Sequence, residues 1–146
     1  MRNTILIGLV CFIFFGCKKD KYSSTPQLTY KSVNVNPVLP NEIVKFVITV
    51  TDAEGDISNS LFVQKVSLNC GASNFSAPYP VPDFPSNSNL KTDISVSFSN
   101  GGNNQGYINI ANCIEPADTC YFRFVLTDKA NHVSDTIKSE TIVILK

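Results

Sequence analysis

Two short stretches of this chain carry oxygen donors at spacings that suit a hard cation. The first is Asp52-Ala53-Glu54-Gly55-Asp56, and the second is Asp128-Lys129-Ala130-Asn131-His132. Calcium takes roughly six to eight oxygen ligands, mainly carboxylate and carbonyl. Asp52, Glu54, Asp56, Asp128 and Asn131 form such a set if the two stretches meet in space. A second chemistry uses the same residues locally. Asp and Asn side chains bond nearby backbone amides, and glycine supplies the dihedrals that tight turns require. The first stretch also lacks the length and the terminal Glu of an EF-hand loop. Calcium ligation and turn capping both demand that each stretch be a loop at the end of a strand.

Phe75, Tyr79 and Phe84 are interleaved with Pro78, Pro80 and Pro82. Aromatic rings stack on the apolar faces of sugars, and prolines reduce the entropy lost on binding, so this stretch is the candidate for ligand recognition. The alternative is that the rings fold back over a sheet edge and seal the core. Cysteines occur at positions 11, 17, 70, 113 and 120. No Cys-x-x-Cys or Cys/His cluster is present, which argues against zinc. Only Ile-Glu-Pro-Ala-Asp-Thr separates Cys113 from Cys120, a short turn that a disulfide would close; Cys70 with Cys120 is the alternative pairing. A nucleophilic thiol needs a neighbouring base, and His132, the sole histidine, falls in a different loop. There is no Gly-rich phosphate loop, no G-x-S-x-G elbow and no H-E-x-x-H helix. A non-enzyme is expected, with a small hydrolase built on two carboxylates as the remaining catalytic reading.

Strands must position these residues, because helical periodicity is nearly absent. Val33 to Val35 is a first candidate. Ile43 to Thr51 follows, with Val44, Phe46, Ile48 and Val50 on one face. Leu61 to Cys70 comes next, read with Phe62, Val66, Leu68 and Cys70 sharing a face. A long proline-bearing loop spans Gly71 to Asn89. Lys91 to Ser99, Tyr107 to Cys113, Thr119 to Thr127 and Ser139 to Leu145 complete the set. About seven strands over roughly 115 residues, punctuated by turn signals, predict an all-β chain folded as an immunoglobulin-like or fibronectin type III-like sandwich. A single barrel is the rival. In the sandwich, the loops after the second and sixth strands share one end, bringing the acids together. The three cysteines downstream of Cys17 crowd the other end.

Charge is balanced, with 12 basic and 12 acidic residues. No basic patch or stripe appears, which excludes nucleic acid as the expected partner. Lys18 to Thr29 holds little apolar material and one proline, the composition of a flexible tether.

The N-terminus reads as an export signal. Met1-Arg2 gives a positive start, Ile5 to Phe15 an apolar block, and Gly16 a small residue before Cys17. The block is too short for a membrane span, which needs about 20 residues. Gly16-Cys17 followed by Lys18-Lys19-Asp20-Lys21 resembles the bacterial lipoprotein signal, and the lysine-rich run resembles lipoproteins of the Bacteroidota group. That resemblance implies a signal peptide at 1–16, lipidation of Cys17 and a tether over 17–29. It also implies a domain over 30–146, held by its lipid to the cell envelope, on either face of the outer membrane. The two acidic stretches likewise resemble strand-end loops of bacterial immunoglobulin-like and cadherin-like modules. Together these imply a non-catalytic binding or adhesion module for a glycan or an envelope protein; the alternative is a structural subunit of an outer-membrane complex. No cofactor is expected other than calcium.

Overall fold

Short alternating runs bury one face each, and among the described residues the chain resolves them into nine strands. A computed structural model describes residues 21–146 apart from positions 84, 86, 103, 105, 112 and 114–116. The expectations at Cys17 and Phe84 therefore lie outside the described residues. The strands are β1 (Gln27–Val33), β2 (Ile43–Asp52), β3 (Ser60–Ser67), β4 (Phe75–Pro80) and β5 (Leu90–Ser99). They continue with β6 (Ile108–Asn109), β7 (Asp118–Thr127), β8 (Ile137–Lys138) and β9 (Ile142–Ile144).

One sheet has the order β1-β2-β5-β6; the other runs β4-β3-β7-β8, with β9 also paired to β7. Consecutive strands cross between the layers after β2, β4 and β6, the Greek-key arrangement of immunoglobulin-like sandwiches. The all-β sandwich expected from the pattern is thus the fold. Its core is aromatic and spans both sheets. Phe46 of β2 meets Phe122 of β7 with ring centroids 4.5 Å apart, and Phe98 of β5 lies 5.6 Å from Phe122. Offset and edge contacts of this kind suit ring quadrupoles and bury large apolar surfaces.

Several expectations are corrected by the structure. β3 presents Leu61, Val63 and Lys65 inward, whereas Phe62 and Leu68 are 40% and 60% exposed. The sequence pattern favours the opposite face because a lysine stands in an inward slot. Lys65 is tolerated there because its ammonium donates to the buried carboxylate of Asp118 and to the Ser73 Oγ, 2.9 Å away. A buried charge of this kind survives only when paired and hydrogen-bonded.

The proline-bearing loop also contains a strand, β4. Among the described residues it pairs only with β3, so Pro78 and Pro80 sit on an edge, where a missing N–H is tolerated. β1 begins at Gln27, inside the stretch read as tether, since Leu28 and Tyr30 pack against the core. The expected strand over Tyr107 to Cys113 shrinks to the two residues of β6.

Candidate metal centre

The buried faces of β2 and β7 both end on an acid. Along β2 the inward side chains are Val44, Phe46, Ile48, Val50 and then Asp52. Along β7 they are Cys120, Phe122, Phe124 and Leu126, and Asp128 takes the next slot. Asp52 and Asp128 are both fully buried. The loop after β2 then turns Asp56 toward them, while Ile57 plugs the core behind. One carboxylate oxygen from each of Asp52, Asp56 and Asp128 lies within 4.8 Å of the others.

Local hydrogen bonds account for part of this arrangement. The Gly55 N–H donates to Asp52 Oδ1 at 2.5 Å. Gly55 has φ +72°, and a Cβ there would fall 2.2 Å from the Asn87 carbonyl oxygen, so the turn requires glycine. The His132 N–H donates to Asp128 Oδ1 at 2.7 Å, and His132 Nδ1 lies 2.9 Å from Oδ2. Asn131, at φ +68°, donates its N–H to the Asp128 carbonyl. Turn capping is therefore real at Asp52 Oδ1 and at Asp128.

It leaves two atoms over. Asp52 Oδ2 and Asp56 Oδ1 are buried with no hydrogen-bond partner among the described residues. An unsatisfied buried acceptor costs about 1–3 kcal/mol, more when it is charged. Burial pushes the Asp52 carboxyl above its ordinary pKa, opposed by the Gly55 amide and reinforced by the charges of Asp56, Glu54 and Asp128. The bond to Asp128, together with its charge, raises the His132 imidazole. The cluster is a concentration of negative charge at the end of an apolar core.

The donor set fits calcium. Calcium–oxygen bonds of about 2.3–2.6 Å place ligands on opposite sides of one ion roughly 4.6–5.2 Å apart. The three carboxylate oxygens lie within 4.8 Å of one another, close enough to share one ion. Asp52, Asp56 and Asp128 would hold the ion, with water or carbonyl oxygens completing its shell. Glu54, named with them from the sequence, is exposed and stands outside the trio, and Asn131 is an exposed turn residue. The start of the described chain lies close by. The Ala53 N–H donates to the Ser23 carbonyl at 2.9 Å, and the Lys21 N–H to Asn89 Oδ1. The segment leading into β1 is thus tied to the acidic end of the sandwich.

The aromatic candidates are placed differently. Phe75 and Tyr79 point inward from β4, and each ring meets Phe98 edge-on at 5.6 Å. They join the core instead of forming an exposed stacking platform, because alternation on β4 turns the prolines outward. Tyr79 also borders an open groove of about 590 Å³ between β4 and β5, lined by Leu61, Val81, Ile94 and Val96.

The cysteine pairing expected at Cys113–Cys120 is not formed: Cys70, Cys113 and Cys120 are all free thiols. Cys120 is fixed within β7, opposite Ser67 of β3 and Ile142 of β9, with its side chain in the core. Burial, with further contributions from Cys70 and Asp118, holds the Cys113 thiol above its ordinary pKa. Sequence reasoning also missed the buried Lys65–Asp118 pair. Its signal was a lysine in phase with Leu61 and Val63, matched by an acid in phase with Cys120 and Phe122.

No family model matches the chain, and no curated protein is similar to it by sequence. Among solved structures, the sporulation control protein Spo0M from Bacillus subtilis shares 8% identity at a TM-score of 0.47; the match covers 84% of this chain. This chain spans 50% of the length of that one. A Niemann-Pick type C2 protein from the Japanese carpenter ant shares 8% identity at a TM-score of 0.44, covering 86% of this chain and 97% of that one. The CARDB domain of the PF1109 protein from Pyrococcus furiosus, solved in complex with di-metal ions, shares 12% identity at a TM-score of 0.28. That match covers 84% of this chain and 93% of the CARDB domain.

Proposed function

We propose that this chain is a non-catalytic, lipid-anchored binding module of the bacterial cell envelope whose acidic end is organised by one calcium ion. The observation that carries the calcium reading is the trio Asp52, Asp56 and Asp128, with two buried oxygens that no donor among the described residues satisfies. The anchor rests on the apolar block that ends at Gly16-Cys17. The non-catalytic reading is supported by the chemistry of the side chains. The sole histidine is engaged by Asp128, and Cys113 and Cys120 are buried.

Binding to the folded state alone stabilises it by about 2.7 kcal/mol at a hundredfold excess over Kd. Millimolar calcium is therefore expected to raise the thermal midpoint by on the order of 5–10 °C, and chelation to reverse it. Asp52→Asn should abolish the response. A wild-type midpoint that does not move with calcium would remove the metal from the proposal. The anchor is tested separately, by labelling cells with a palmitate analogue and replacing Cys17 with Ser. Label retained in Cys17→Ser would remove the anchor.

A further inference from the structure

We propose that the end of the sandwich opposite the acids binds a protein of the cell envelope through Leu39, Leu68, Tyr107 and Ile108; this assignment rests on the chain being the anchored, non-catalytic module proposed for it. Where the chain is tied sets which end is free. The Lys21 N–H donates to Asn89 Oδ1 at 2.5 Å, the Ala53 N–H to the Ser23 carbonyl at 2.9 Å, and the Asn89 N–H to the Ala53 carbonyl at 2.7 Å. These bonds fasten the segment leading into β1 to the loops at the acidic end. Four residue steps separate Lys21 from Cys17, a reach of at most about 14 Å. A lipid on Cys17 therefore holds the acidic end close to the bilayer. β2 is ten residues long and puts the other end about 30 Å from the acids.

That far end carries exposed apolar side chains. Leu39 precedes β2 and Leu68 follows β3, while Ile108 pairs with Phe98 near the end of β5 and Tyr107 stands next to it. All four are between 45% and 60% exposed, and they make up four of the six exposed large hydrophobics among the described residues.

The amides around them brace the loops of the same end. Asn100 Nδ2 donates to the Leu39 and Leu145 carbonyls, and Asn104 Nδ2 to the Asn41 carbonyl and Ser99 Oγ. Asn69 Nδ2 donates to the Ala117 carbonyl, and its Oδ1 accepts from the Thr119 N–H. The Glu42 carboxylate accepts from the Leu39 N–H at 2.8 Å. A glycan is oriented by polar groups free to bond it, and here those groups are engaged by the protein itself. What this end offers a partner is apolar surface with an aromatic ring, the character of an interface core. A protein with a complementary apolar surface fits that chemistry.

The test places the photoreactive residue p-benzoylphenylalanine in place of Leu39, Leu68 or Tyr107, one at a time, in the cells that make the chain. Glu54, exposed at the acidic end, is the control position. One protease-sensitive adduct of the same mass is expected from the three far-end positions, in at least tenfold higher yield than from Glu54. With the probe at Leu39, Leu68→Asp combined with Ile108→Asp should lower that yield at least tenfold at an unchanged thermal midpoint, since both side chains are more than half exposed. Adducts with lipid, with glycan or with a second copy of the chain would overturn the proposal. So would equal yield at Glu54, no far-end adduct, or an undiminished yield in the double variant. Palmitate-analogue labelling of the same cells separates the two readings. Label without a far-end adduct overturns the binding surface alone, and a far-end adduct without label removes the anchor alone.

Discussion

Asp118→Ala is expected to destabilise the fold by about 3–5 kcal/mol, because it strands a buried cation. The side chains of Lys65 and Asp118 are both fully inaccessible, and Asp118 is the only carboxylate on the ammonium among the described residues. Asp118 also accepts from Ser67 Oγ and Ser73 Oγ, each at 2.6 Å. Its removal therefore leaves the ammonium without a counter-charge and takes one acceptor from each of two hydroxyls, whose remaining acceptors are Asn69 Oδ1 and the Cys70 carbonyl. Urea denaturation reads the loss as a lower midpoint at unchanged slope. Lys65→Met combined with Asp118→Leu should recover part of it, since no charge is then left buried. A loss below about 1 kcal/mol in the single variant would mean that water reaches Lys65.

Asp118 also gives the pair a pH signature. Burial raises its pKa, but hydrogen bonds from Lys65, Ser67 and Ser73, together with the Lys65 charge, outweigh it and hold the carboxyl below its ordinary value. A depressed folded pKa contributes stability that is present above the unfolded value of about 3.9 and is lost as pH falls through the folded one. The contribution of Asp118 therefore persists at neutral pH and disappears only in strong acid.

Phe122→Ala is expected to cost about 3–5 kcal/mol through the cavity it leaves. Phe122 is fully buried and contacts Phe46, Phe75, Phe98 and Phe124, with ring centroids between 4.5 and 6.5 Å. Those neighbours come from both sheets, so relaxation around the gap is restricted on every side. Phe122→Leu keeps most of the volume and should cost clearly less. Equal losses in the two variants would contradict a close-packed aromatic core.

The sandwich was legible because β2 and β7 alternate cleanly. Val44 through Val50 declare one buried face, and Phe122 through Leu126 declare the other. β3 was misread for a physical reason. Alternation identifies a buried face by its apolar side chains, and Lys65 breaks that rule where a remote carboxylate compensates it. Asp118 lies 53 positions away in sequence, and no local pattern reveals such a partner. β4 stayed hidden because Pro78 and Pro80 read as loop, although an edge strand accommodates them.

The acidic site was read in outline. Counting by twos from Val44 and from Phe122 places Asp52 and Asp128 on inward faces that oppose each other. Continued past Asp52 the same count would include Glu54, but β2 ends at Asp52 and the turn that follows leaves Glu54 exposed. Asn131 belongs to the turn by virtue of its left-handed backbone and is exposed.

Calorimetric titration of the folded chain with calcium, on wild type and on two variants, addresses the metal centre itself. Asp56→Asn alters a carboxylate with an orphaned oxygen, whereas Asn131→Ala alters an exposed residue outside the trio. One ion per chain is expected in wild type and in Asn131→Ala, with binding lost or weakened at least tenfold in Asp56→Asn, a difference of about 1.4 kcal/mol. Absence of binding to wild type at millimolar calcium, or equal binding in Asp56→Asn, would contradict a calcium centre at Asp52, Asp56 and Asp128.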